Sequence, residues 1–222
     1  MAEPFALTDC ALISVATGEK AHNLRELRDR LYWLTDTRIM YYHFWDVLLR
    51  PHFVDPEYQN DFAAWAFREL HDQRLAERLS ILNPTDYKRM DDLRQQVIET
   101  IEDHMDEDDF ILQADVRHPF FFMRSQMVVF DTQVRISTPE QLSGAIVAMS
   151  LNSIFYHFID ARRRTPSGEN DFSAYLRGCG PAHERLADEI SAIDPYFNSL
   201  AELRDQLISV FERHIERNSR HG

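Results

Sequence analysis

Glycine is scarce in this chain, with six in 222 residues. None falls in a G-x-x-x-x-G-K-[ST] or G-x-G-x-x-G arrangement, so a glycine loop that cradles phosphate is excluded. Cysteine is scarcer still. Cys10 and Cys179 lie far apart without metal-ligand spacing, which rules against a disulfide framework and a thiolate metal centre. Long hydrophobic runs are also missing. No segment approaches the ~20 apolar residues of a membrane span, and the apolar run at 11–16 is too short for a signal core and lacks a basic segment before it. Positive charge is short as well. Lys plus Arg number 24 against 37 Asp plus Glu, a net charge of −13. That balance disfavours nucleic-acid backbone and an anionic membrane surface. The expectation is an acidic, cytoplasmic, soluble protein without nucleic-acid or membrane partners and without a cofactor.

What the chain does have is enough apolar material for a core, 44% hydrophobic and 12% aromatic, which argues against disorder. It also repeats itself. Tyr-His-Phe-Trp-Asp at 42–46 reappears as Tyr-His-Phe-Ile-Asp at 156–160, and Asn-Asp-Phe-Ala-Ala-Trp at 60–65 as Asn-Asp-Phe-Ser-Ala-Tyr at 170–175. Leu-Ala-Glu at 75–77 matches Leu-Ala-Asp at 186–188, and Leu-Arg-Gln-Gln at 93–96 matches Leu-Arg-Asp-Gln at 203–206. Partners stay about 110 to 115 residues apart, and such self-similarity is read as internal duplication. The expected domains are a first lobe at 7–105, an acidic linker at 106–121 and a second lobe at 122–217, tandem and pseudo-two-fold related.

Each lobe reads as one strand and about five helices, a mainly α fold with a minor β component (α+β). The strands are the β-prone runs at 10–18 and 126–132, and with one per lobe they are expected to pair. Thr138-Pro139 starts a helix by capping, and Leu24, Leu27, Leu31 and Leu34 show helical spacing in the other lobe. The second helix of each lobe covers about 39–50 and 154–164, with Pro51 and Pro166 behind it. Asn60-Asp61 and Asn170-Asp171 serve as N-caps for the third. The fourth covers 75–82 and 185–193, and the fifth 91–105 and 199–215, where Ser199 and Glu202 form a capping box. The acidic run at 106–109 reads as a solvated connector, because the ligand spacing of a Ca²⁺ loop is absent.

The second helices carry the sharpest signal. His43, Asp46 and Arg50 stand at i, i+3 and i+7, as do His157, Asp160 and Arg164, with Tyr42 and Tyr156 beside them. Asp46/Arg50 and Asp160/Arg164 have ordinary helix salt-bridge spacing, and both histidines suit a satisfied core position, so a purely structural role is one reading. The other is a polar pocket where the two lobes meet. There the arginines would take a carboxylate or phosphate, and His43 and His157 would exchange protons, oriented by Asp46 and Asp160. Asp61 and Asp171 could add metal ligands, but no H-E-x-x-H is present and they are assigned to capping, so no metal is expected. His104 and His214 are placed in the last turn of their helices, where a cation suits the dipole. Cys179, in a Gly-Cys-Gly-Pro turn, reads as a helix break. Arg162 and Arg163 lack counterparts in the first lobe.

The stretches at 41–44, 60–65, 124–132 and 153–164 together resemble a family of uncharacterised bacterial proteins, a domain-of-unknown-function family, over about residues 9–214. The resemblance implies a bacterial, cytoplasmic, two-lobed protein and transfers no activity and no site. The expected function is non-catalytic binding of a small anion or a protein partner at His43, Asp46, Arg50, His157, Asp160, Arg164, Tyr42 and Tyr156. The alternative is a His/Asp-dependent enzyme, metal-assisted or not, using the same residues.

Overall fold

The computed structural model describes residues 3–50, 57–107, 116–165, 167–196 and 199–221. It is an α+β fold dominated by helices, with one two-stranded antiparallel sheet. The strands are β1, Phe5–Ala21, and β2, Phe120–Ile136. Both are longer than the apolar runs at 10–18 and 126–132. Strand hydrogen bonds are backbone bonds, so polar residues such as Thr8, Glu19 and Arg135 extend the ladder as well as valines do. Two threonine hydroxyls fix the register. Thr17 donates to the Phe122 carbonyl at 2.7 Å and Thr132 to the Leu7 carbonyl at 2.6 Å.

The chain forms two compact units, Leu12–Gln126 and Met1–Ala11 with Met127–Gly222. The division therefore falls inside the strands, whereas the sequence placed a connector at 106–121. Phe120 and Phe121 of that stretch belong to β2. Asp106 and Glu107 close a helix, while the acidic positions Asp108 and Asp109 lie outside the described residues.

In the unit Leu12–Gln126 the helices are α1 Leu24–Trp33, α2 Thr37–Trp45, α3 Asp61–Arg68, α4 Gln73–Ser80 and α5 Met90–Glu107. Leu24, Leu27 and Leu31 bury one stripe of α1 as their spacing predicts. α2 is capped by Asp36, three residues before Ile39, its first buried residue. It ends at Trp45 and tightens into a 3-10 turn, Asp46–Leu49. Arg50 is thus not a helical residue at i+7. Its backbone is extended, with φ −73° and ψ 136°. Pro51, the expected stop, lies outside the described residues, as does Pro166.

The other unit contains α6 Pro139–Ala148, α7 Leu151–Ile154, a π-helical turn Phe155–Asp160, α8 Ala161–Arg164, α9 Asp171–Cys179, α10 Glu184–Ser191 and α11 Leu200–His221. The Thr138 cap with Pro139 and the Ser199/Glu202 capping box form as expected. α11 runs past His214, which therefore does not sit in a last turn. No helix among the described residues is long and apolar enough to cross a membrane.

The fully buried Asn60 does two jobs. Its Oδ1 accepts from the Ala63 N–H at 2.9 Å, capping α3, and its Nδ2 donates to the Leu79 carbonyl at 3.0 Å, tying α3 to the end of α4. Asn60→Ala removes a cap, about 1 kcal/mol, and orphans a buried carbonyl, about 1–3 kcal/mol. A loss of about 2–4 kcal/mol in urea unfolding is expected. Asn60→Asp keeps the cap and should lose roughly half as much; equal losses for the two variants would contradict the two-job reading.

Candidate functional site

In the unit Leu12–Gln126, α2 supplies Tyr42 and His43, the 3-10 turn Asp46, the following residue Arg50, and the first turn of α3 Asp61. Because Asn60 takes the capping bond, Asp61 is left free to turn inward. It becomes the hub. His43 Nδ1 lies 2.8 Å from Asp61 Oδ2, and Arg50 grips both Asp61 oxygens, Nη1 to Oδ1 at 2.8 Å and Nη2 to Oδ2 at 3.0 Å. Arg50 Nε also donates to Asp46 Oδ2 at 3.0 Å, and its guanidinium lies over the Tyr42 ring, 4.4 Å from the centroid. Across from the helix, the Met123 N–H of β2 donates to His43 Nε2 at 3.2 Å. An imidazole that accepts at Nε2 carries its proton on Nδ1, so His43 is the neutral Nδ1–H tautomer donating to Asp61.

The electrostatics follow from this wiring. Burial raises the Asp61 carboxyl, but the hydrogen bonds from His43 and Arg50 outweigh it and hold the group below its ordinary value. Asp46 goes the other way. Burial dominates there and pushes its carboxyl up against the single Arg50 contact. The paired carboxylates overcome burial at Arg50 and lift its pKa further above the usual guanidinium value.

The unit with Met127–Gly222 contains a matching cluster. His157 Nδ1 lies 2.8 Å from Asp171 Oδ2, Arg164 Nη2 donates to the same oxygen at 3.0 Å, and Arg164 Nε to Asp160 Oδ2 at 2.8 Å. Tyr156 lies under Arg164 at 3.9 Å, and the Thr8 N–H of β1 donates to His157 Nε2 at 2.9 Å. His157 and Asp160 ride on the π turn, while Ser125, hydrogen-bonded at 3.5 Å to Asp46, is replaced by Cys10, whose thiol donates to the Asn152 carbonyl. Burial, then the charges of Asp9 and Asp160, push the Cys10 thiol up to about 12, which leaves it unreactive.

So the structure brings together, within each unit, the His, Asp, Arg and Tyr that the sequence singled out. Asp61 and Asp171 complete each set; the sequence had assigned them to helix capping. The signal was present in the Asn-Asp doublets, because one cap position can hold only one of the two residues. A second element is β-strand residues: Phe120 packs 4.7 Å from the His43 ring and Phe5 4.7 Å from that of His157. Chemically, each cluster is saturated. Both ring nitrogens of each histidine are engaged, one of them with a strand N–H. No group of three His, Cys, Asp or Glu side chains among the described residues is placed to hold a metal ion.

Next to the first cluster a cavity of about 350 Å³ opens between α3 and the start of β2. Tyr42, Trp65 and Phe121 give it aromatic walls, and Asp61, Arg68 and the Glu69–His118 pair, 3.0 Å apart, its polar groups. The Arg68 guanidinium forms no hydrogen bond or ion pair with the described residues. At the aligned positions of the other half stand Gly178 for Arg68, Cys179 for Glu69 and Glu3 for His118. The cluster is common to both units, whereas this rim is not.

His104 sits in the last turn of α5, as its spacing predicts, and has a partner beyond its own helix. It is buried and meets Asp72 at 2.6 Å through Nε2.

Residues 2–212 match the model of a family of unknown function (DUF5752), and the chain belongs to that family. It is similar to the structure of OrfY from Thermoproteus tenax, with 27% sequence identity and a TM-score of 0.79, over 96% of this chain and 97% of that one. The sequence matches no curated protein.

Proposed function

We propose that this is a non-catalytic binding protein, descended from a duplicated lobe and working in a reducing, cytoplasmic setting, that takes a small anion in the cavity beside α3. The observation that carries the reading is Arg68, a guanidinium without a protein partner among the described residues, in an aromatic-walled cavity. The other charges at the rim are already compensated. Asp61 is held by His43 and Arg50, and Glu69 by His118. An aryl phosphate or aryl carboxylate suits this chemistry, with a bidentate fork for the anion and rings for stacking. The residues shared by both units act in this reading as braces. Each histidine satisfies a strand N–H while its Asp and Arg hold the imidazole in place. Two free cysteines accord with the reducing setting.

A His/Asp enzyme is the weaker reading, because His43 or His157 could move a proton only after giving up a hydrogen bond that holds a strand. The test is calorimetric titration of the full chain with phenyl phosphate. Saturable binding is expected, weakened at least about tenfold, or ~1.4 kcal/mol, in Arg68→Ala. Arg68 is in the last turn of α3, so the variant should fold normally. Equal affinity in the variant, or no binding to the wild type, overturns the proposal.

A further inference from the structure

The two units differ at a second place. In the unit Leu12–Gln126, Asp72 and His104 are both buried and meet at 2.6 Å. The sequence alignment that pairs Leu75 with Leu186 and His104 with His214 puts His183 in the place of Asp72. In the unit with Met127–Gly222 these two positions line a cavity of about 330 Å³. Pro139, Leu186, Phe211 and Ile215 make its walls apolar, and His183, His214 and Glu140 are its polar groups.

The charges of this lining are compensated inside the unit. Bonds from its own backbone N–H and from Thr138 hold the Glu140 carboxyl below its ordinary value, and the charge of His183 adds to them. Burial first, then His183, push His214 down, and Glu189 opposes them. An ionic ligand entering here would lose its water without gaining a counter-ion from the lining, which is costly. The walls select a neutral molecule.

Hydrogen bonding, by contrast, is unfinished. Neither ring nitrogen of His183 bonds a described residue. Nδ1 is shut off from solvent, which leaves Nε2 as the accessible nitrogen of a ring that lines the cavity. Which nitrogen carries the proton decides whether Nε2 donates or accepts. A hydroxyl answers either tautomer, being donor and acceptor at once, whereas an ether or a ketone answers only one. An apolar cavity of about 150 Å³ takes up benzene, so this one has room for a body of roughly six to ten carbons.

We propose that this cavity binds a small neutral alcohol or phenol, the hydroxyl bonding His183 Nε2 and the apolar body lying against Leu186, Phe211 and Ile215. The site shares no residue with the Arg68 cavity, so the two proposals stand or fall separately.

Hexanol, ethanol, hexanoate and hexylammonium are titrated into the full chain, with the imidazole NMR signals as readout. Hexanol is expected to saturate and to shift the His183 signals. Ethanol should bind at least about tenfold more weakly, for want of buried methylenes. Hexanoate and hexylammonium, with the same tail and a charge, should also be weaker by at least about tenfold. His183→Leu keeps an apolar wall and removes the partner of the hydroxyl, so hexanol affinity should fall by about threefold to tenfold. Ile215→Trp, at a half-exposed position of the rim, should block entry without disturbing the core. The proposal is overturned if hexanol does not saturate, if hexanoate or hexylammonium equals hexanol, or if either variant binds hexanol like the wild type.

Discussion

Asp61→Ala is expected to lower stability by about 3 kcal/mol, the cost of removing one partner from a buried ion pair. The variant strips Arg50 of both Nη contacts and His43 of its Nδ1 acceptor. A His43 ring no longer held in its tautomer ceases to be a dependable acceptor for the Met123 N–H, so part of the loss should appear as exchange of that amide. Asp61→Asn keeps the shape and one acceptor, and should cost less. The pH dependence has a definite sign. The folded-state pKa of Asp61 is depressed, so its contribution is present above the unfolded carboxylate value of about 3.9 and is lost as pH falls through the folded value. Asp46 is raised, so its contribution runs oppositely and fades as pH rises through the ordinary range. Urea midpoints at neutral and acidic pH test this: the acid-induced loss should be shallower in Asp61→Asn than in the wild type. A midpoint for Asp61→Ala within about 0.5 kcal/mol of wild type would place the residue among ordinary surface positions and sink the idea of a hub.

Phe120→Ala should be at least as damaging, at about 3–5 kcal/mol. The ring is almost fully buried, 4.9 Å from Phe62 and nearly parallel to it, 5.8 Å from Trp65 edge-on and 4.7 Å from His43. It anchors the beginning of β2 three residues before the Met123 N–H that His43 holds. Removing it opens a cavity among rigid aromatic groups that cannot collapse into the space, which puts the cost at the upper end of the range. Hydrogen exchange distinguishes local from global damage. Loss of protection at Met123 and its β2 neighbours beyond the global loss is expected, and uniform change across the unit would mean that Phe120 is only generic core. Phe120→Leu should recover most of the stability.

The helices were largely legible because their signals are local. The Thr138-Pro139 start, the Ser199/Glu202 box and the Leu24/Leu27/Leu31 stripe depend on residues within two turns of each other, and all form. The recurring Tyr-His-Phe-x-Asp segments likewise pointed to side chains that do meet. Where the reading fell short, the missing information was a distant partner. Arg50 was expected on a helix at i+7, but the attraction of Asp61 and the 3-10 turn at 46–49 draw it off the helix into an extended conformation. The strands were drawn too short because apolar runs mark burial, and a ladder depends on the backbone opposite. His104 does lie at its helix end, but its partner Asp72, 32 residues away, was not a visible neighbour.

By itself the sequence determined the helical class, most helix starts and the set of polar residues that recurs in both halves. Composition and spacing suffice for those, since they report on contacts between near neighbours. Only the tertiary structure decided that Asp61 and Asp171 are the hubs, that both histidines spend their ring nitrogens on an aspartate and a strand N–H, and that Phe5 reaches Phe172 and Phe120 reaches Phe62. It also separated what the two units share from what each has alone, Arg68 in one and His183 in the other. Those outcomes depend on which atoms come within three to six ångströms after the chain has closed over long loops, and no local pattern along the chain carries that information.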